Sequence, residues 1–327
     1  MKRLLTAIMA IAFGAFGLGI QHVNADTGEA WDKPVVTLGS SLTESQKRGT
    51  TNTLTASLNG GTFDTLTVDG DTLVKYLNPS GSNFTSSSGV WSSAMVQKTD
   101  NGGINVQILN YAGVNNITTI TADQYRNAAL TAGVTNANIY ITSAVKIDGS
   151  GALAGVYAAF AQHGQNLSSS QVAAAQDEVN TLSGITQANK NQDGYSDKQL
   201  NNAVAGMKSQ MASQSNNGQQ TLSQNQIGNI VDSQLKNNNL GTIINNNQRT
   251  QIVNLLVKIQ NSGALKGTDF KGQASKLSDS IQNSAKGLFN KVKANLNTQE
   301  GQNLFQRVMT AISNFFSALA DWVKSLF

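Results

Sequence analysis

The chain has 327 residues, 39% of them hydrophobic and only 13% charged, with a formal net charge of +4. It has no cysteine and two histidines, one of them in the first 25 residues. These counts exclude thiolate chemistry, cysteine-based zinc sites, disulfide staples and any HExxH centre, and the scarce charge leaves solubility to Asn, Gln, Ser and Thr.

Residues 1–25 read as an export signal: Lys2 and Arg3, an apolar run from Leu4 to Ile20, then Val23-Asn24-Ala25 as a small-residue cleavage pattern. The expectation is a mature chain that begins at Asp26 and leaves the cytoplasm, either secreted or held at the envelope. What remains is long enough for more than one unit.

From Val35 to about Gln165 the spacing predicts a sheet-and-helix domain. Strands are expected at Val35–Gly39, Leu66–Val68, about Val90–Lys98, Ile104–Leu109, Ile117–Ile120 and Asn138–Val145. Helices are expected at Thr43–Leu58, where Thr43 and Gln46, and also Ser41 and Glu44, have capping-box spacing. Further helices are predicted at Asp71–Leu77, stopped by Asn78-Pro79, from Thr121 to Ala132 before Gly133, and at Ser150–Gln162.

From Ser168 onward the apolar spacing is helical. Val172, Ala175, Val179 and Leu182 form one stripe, Ile227, Ile230, Val231 and Leu235 another, and Ile252, Leu255, Leu256 and Ile259 a third. Asn-, Gln- and Ser-rich breaks such as 213–220 and 237–239 read as turns between packed helices. The fold class is therefore α+β: a mixed sheet with packed helices, then an all-helical region ending in an amphipathic helical hairpin. The expected divisions are 35–165, a helical domain over 166–264, and a tail over 265–327.

Several phrases carry a family resemblance. They are Val36-Thr37-Leu38-Gly39 followed by Leu42–Gln46, Lys75-Tyr76-Leu77, Ile117-Thr118, Tyr125–Val134, the Gly/Ala run Gly149–Gly155, Leu222–Ile227 and Gln248–Ile259. Over roughly Val35 to Ile259 the chain resembles the DUF1002 family of exported proteins from Gram-positive bacteria. That resemblance implies export and a shared fold; it brings no catalytic residue, because the family's function is unknown.

Four motifs suggest chemistry. Gly149-Ser150-Gly151-Ala152-Leu153-Ala154 fits the dinucleotide fingerprint, but no acidic residue follows at the end of a second strand. The preferred reading is a helix lying close on the sheet through small residues, with Gly149, Ser150 and Gly151 as a weak candidate anion site. Asn189–Leu200 has the outline of a calcium loop but places Leu200 where a bidentate Glu is needed, so it reads as a polar turn. Ser143-Ala144-Val145-Lys146 fits S-x-x-K, yet on a strand and without partner motifs. His163, at a helix end, reads as a capping residue and not as a triad base. Asp69/Asp71 and Asp177/Glu178 are too close in sequence to face each other across a cleft.

The tail is the strongest interaction candidate. Phe305, Ile312, Phe315, Phe316, Leu319, Trp322 and Val323 share one broad helical face. Residues 265–327 hold eight basic and four acidic residues. The preferred reading buries this face against the stripe Phe270, Ala274, Leu277, Ile281, Leu288 and Val292. The alternatives are an anionic wall polymer, a membrane surface or another envelope protein; nucleic acid is not expected. No cofactor and no metal are expected. The functional expectation is an envelope-associated binding or scaffold protein without catalysis, the alternative being a hydrolase of cell-wall polymers.

Overall fold

The computed structural model of the chain describes residues 31–165 and 167–294, with side chains in the last helix described to residue 283. The N-terminal half builds one five-stranded mixed sheet, and the rest of the described chain is helical.

The strands are β1 (Val35–Gly39), β2 (Asp64–Val68), β3 (Ser92–Lys98), β4 (Ile104–Ile108) and β5 (Ala137–Ser143), in spatial order β2-β1-β3-β5-β4. The β1–β2 and β4–β5 pairs are parallel, and β3 runs antiparallel to both β1 and β5. Each strand's period of two sends alternate side chains to opposite faces. On one face Val36 and Met95 pack with Leu54 of helix α1 (Glu44–Thr55). On the other, Val35, Ala94 and Val96 join the main core beneath α4 (Ser150–Gln162). Between these lie α2 (Gly70–Leu77), which packs on α4, and α3 (Ala122–Thr131), which packs on β4.

Capping residues set the helix starts. Thr43, Asp69, Thr121, Ser223 and Asn245 each close a capping box over the following turn, satisfying amides that have no intrahelical partner. Gly133, at φ +94°, ends α3 in a left-handed turn.

Helix α4 shows why its sequence is rich in small residues. A Cβ on Gly155 would lie 2.4 Å from Thr37 Oγ1, and one on Gly151 would lie 2.6 Å from Val90 Cγ1. The small residues are there for contact with the sheet.

The helical half comprises α5 (Ser169–Asn189), α6 (Asp197–Gln214), α7 (Gln224–Asn237), α8 (Asn246–Asn261) and α9 (Phe270–Ala294). All three predicted stripes are buried. Helix α5 packs on α3 and α8, while α6 packs on α7 and α9, so the sheet and the helices share one continuous apolar core. The Asn-rich breaks are turns: Asn216, Asn217 and Asn239 take positive φ, which Asn tolerates better than most side chains.

Two local expectations change. Ile117–Ile120 forms no strand; Ile117 makes a single bridge to Ile147. Ser41 does not cap α1, because its hydroxyl accepts from the Val90 amide across the loop. Helix α2 ends at Leu77 before Asn78-Pro79, and a 3-10 turn over Asn78–Ser80 follows. The stripe Phe270, Ala274, Leu277 and Ile281 is buried, with α9 lying along α6, tied there by Ser209–Ser275 and Ser278–Asn202 hydrogen bonds. The first half of α9 thus spends its apolar face inside the body.

Candidate functional site

A concave feature centres on the turn between α3 and β5. A cleft of about 360 Å³ opens between that turn, the end of β3, the segment leading into α5 and the start of α9. Its walls carry Lys98, Asp100, Asn136, Gln171, Asp269 and Gln273, with Ala132 and Leu167 as the apolar contribution. The volume falls in the range of small-ligand sites, roughly 300–1,000 Å³, but the lining is far more polar than usual.

Asn136 holds the cleft together. Its carbonyl oxygen accepts from the Gly103 amide and from Gln273 Nε2, each at 3.0 Å, and its amide nitrogen donates to the Asp100 carbonyl at 3.3 Å. One side chain therefore joins the β3–β4 turn to α9. Lys98 is almost fully buried, and its ammonium donates to the carbonyl and the hydroxyl of Thr135, both at 2.9 Å.

Asn136 and Asp269 both hold positive φ, at 36° and 54°. Asn and Asp tolerate this region better than most side chains, so both residues mark tight turns in the cleft wall. Asp269 pairs loosely with Lys276 at 3.9 Å.

A second polar cluster lies in the interior, where α3, α5 and α6 meet. Lys208 of α6 and Glu178 of α5 form an ion pair at 2.6 Å, and neither side chain is exposed. Lys208 Nζ also donates to the carbonyl and the side-chain oxygen of Asn127, and Glu178 accepts from the Thr131 hydroxyl at 2.6 Å. Burial pulls the Lys208 pKa below the ordinary lysine value, against the opposing pull of the Glu178 carboxylate.

Near the start of α6, Asp197 accepts from the hydroxyls of Thr121 and Thr186 and from Gln124 Nε2. Burial raises its pKa and that of Asp123, and the Asp123 charge adds to the rise at Asp197. This is the acid pair that local spacing did not signal, yet neither member lines the cleft.

The sequence candidates fall as follows. At Gly149, Ser150 and Gly151 the start of α4 already has an internal anion: the Asp148 carboxylate accepts from the Ser150 amide at 3.0 Å and its hydroxyl at 2.6 Å, while the Ala152 amide donates to Ser92 Oγ. The Tyr125 hydroxyl closes the other side by donating to the Gly149 carbonyl. Asn189–Leu200 runs from the last residue of α5 through the connecting turn into the first turn of α6, with Asn189 folded back onto the Ile185 carbonyl and Leu200 buried. Ser143 donates to the Val145 carbonyl, while Lys146 is exposed. His163 follows α4 as its cap residue and stacks on Trp31 at 4.2 Å. Asp177 and Glu178 diverge, to Lys258 and Lys208. Phe305, Ile312, Phe315, Phe316, Leu319, Trp322 and Val323 lie outside the described residues.

Among the described residues no group of three or more His, Asp or Glu could hold a metal ion, and no helix is long and apolar enough to cross a membrane.

A family model, described as a protein of unknown function (DUF1002), matches residues 38–279. The chain is also similar to an uncharacterized protein, YpuA, of Bacillus subtilis (strain 168), at 33% identity over 127 residues. That similarity covers 38% of this chain and 41% of the relative's length. No solved structure matches.

Proposed function

The chain belongs to the DUF1002 family, and from that premise we propose that it is an exported, envelope-associated protein that binds or scaffolds and does not catalyse. The observation that carries this reading is the cleft around Asn136. It is polar, open to solvent and braced by partly buried hydrogen bonds, which is the form of a recognition surface. The basic and apolar start at Lys2–Ile20 supports export.

The tail face supplies the second contact. Val114 is the one large hydrophobic side chain exposed among the described residues, so residues 31–283 offer the tail little apolar surface. That favours a membrane surface or another envelope protein as what the tail touches.

A hydrolase of wall polymers is the alternative. Its carboxylates would be Asp123 and Asp197, and these spend their oxygens on internal donors away from the cleft.

Cell fractionation with N-terminal sequencing tests export, with a chain beginning at Asp26 in the medium or wall fraction as the expected result. Retention of an intact Met1 in the cytoplasm overturns it. Co-sedimentation of the purified chain with isolated walls tests binding, and release of soluble wall fragments would favour the hydrolase.

A further inference from the structure

We propose that the cleft around Asn136 binds a short stretch of neutral glycan whose sugars carry free hydroxyl and acetamido groups; this rests on reading the chain as an envelope binding protein. Charge narrows the ligand first. The cleft's one cation, Lys98, already donates to Thr135, whereas the side chains of Asp100 and Asp269 lie exposed. Asp100 adds a negative charge at the mouth and Asp269 is paired with Lys276 at 3.9 Å, so the cleft carries no excess of positive charge to draw phosphates and other anions, which sets this site apart from any contact with an anionic polymer.

The lining also argues against an apolar ligand, because Ala132 and Leu167 are its main apolar residues. What remains is a set of neutral hydrogen-bonding groups around two acceptors. The side chains of Asp100, Gln165 and Gln171 make no hydrogen bond within the described chain, though all three line the cleft. Carboxylates accept from sugar hydroxyls. A glutamine amide offers one acceptor and two donors, matching the carbonyl and N–H of an acetamido group.

The interior supplies an independent sign. Gln273 is 3% exposed, and its Oε1 has no hydrogen-bond partner while its Nε2 is fixed on Asn136. That oxygen is one of eight such atoms among the described residues and the one that lines the cleft, where a bound donor would satisfy it.

The test is calorimetric titration of the full mature chain with a tetramer of N-acetylglucosamine, alongside its deacetylated form, a glucose tetramer and inorganic phosphate. The acetylated tetramer is expected to bind best and phosphate not at all. Gln171→Ala and Asp269→Asn should each weaken the acetylated tetramer by about tenfold, the scale of one lost hydrogen bond, with unchanged melting curves. Asn accepts the backbone conformation of Asp269, so that variant removes charge without adding strain. Lys258→Ala, on the outer side of α8, should bind as the wild type does.

No heat from either neutral tetramer would overturn the proposal. So would binding that both variants leave intact, since the ligand would then sit elsewhere. Tighter binding of the deacetylated tetramer would assign the site to cations, and binding of phosphate would assign it to anions; either result overturns it. If fractionation places the protein in the cytoplasm, the envelope reading fails while the titration still decides the chemistry of the cleft.

Discussion

Lys208 and Glu178 meet at 2.6 Å inside the protein with no exposed side-chain surface on either. The pair joins α5 to α6, and through Asn127 and Thr131 it also ties both to α3, which packs against the sheet. The sheet and the helical half are thus held by one buried polar network as well as by a shared apolar core. Removing one partner leaves an uncompensated buried charge, which typically costs about 3–5 kcal/mol.

Lys208→Met and Glu178→Gln should therefore each lower the melting temperature sharply. The double variant Lys208→Met/Glu178→Leu should recover much of the loss, because a well-packed apolar pair is often as stable as a buried ion pair. Denaturant and thermal melts of the three variants check this. A double variant no better than the worse single one would mean that the pair's geometry, not its charge balance, sustains the core.

Asp197 makes a pH prediction. Burial raises its carboxyl above the ordinary value. The folded state therefore holds this proton more tightly than the unfolded state, which titrates near pH 3.9. Its contribution is fully present below that pH and is lost as pH rises through the folded pKa. Other acids titrate too, so the informative quantity is a difference between variants. Asp197→Asn should be least favourable relative to wild type at low pH and should gain on it as pH rises from about 4 toward neutrality. Melting curves of both proteins across that range test the sign. A difference independent of pH would show that Asp197 is not raised.

Two glycines in helices make opposite predictions. At Gly155 a methyl group would meet Thr37 Oγ1 at 2.4 Å and Thr37 Cβ at 3.0 Å, and Thr37 is fixed by hydrogen bonds with Ala94. Gly155→Ala should destabilise by about 1–3 kcal/mol through overpacking, despite the better helix propensity of Ala. Gly184 in α5 is exposed with nothing near its missing Cβ, so Gly184→Ala should stabilise by roughly 0.5–1 kcal/mol. Equal effects at the two sites would refute the close seating of α4 on the sheet.

The tail can be separated from the body by one change. Because Phe270, Ala274, Leu277 and Ile281 are already buried within the body, Phe316→Asp should leave the main melting transition within about 0.5 kcal/mol of wild type. The same variant should lose co-sedimentation with lipid vesicles, since interfacial binding scales with buried apolar area. A large drop in stability would instead place Phe316 in a packed hairpin.

Most secondary structure was legible because it rests on short-range rules. Thr43-x-x-Gln46 and Thr121-x-x-Gln124 fix helix starts through atoms three residues apart. The alternation Ile104, Val106 marks a strand, and the helical stripes from Val172 to Ile259 predict which faces are buried. Even Glu178 and Lys208 left a trace, since each interrupts an apolar stripe: Ala175, Glu178, Leu182 on α5 and Val204, Lys208, Met211 on α6. Their meeting left none, because the order in which helices pack is set by side-chain complementarity summed over whole faces. The strand order β2-β1-β3-β5-β4 was hidden for the same reason.

The sequence by itself determined composition, the chemistries it forbids, the basic and apolar start and most of the elements, all of which depend on residue identity and near neighbours. The tertiary structure alone decided the cleft. Asn136 and Gln273 are 137 residues apart and touch at 3.0 Å, and no local pattern encodes a contact that exists only once the sheet and α9 have closed on the same core.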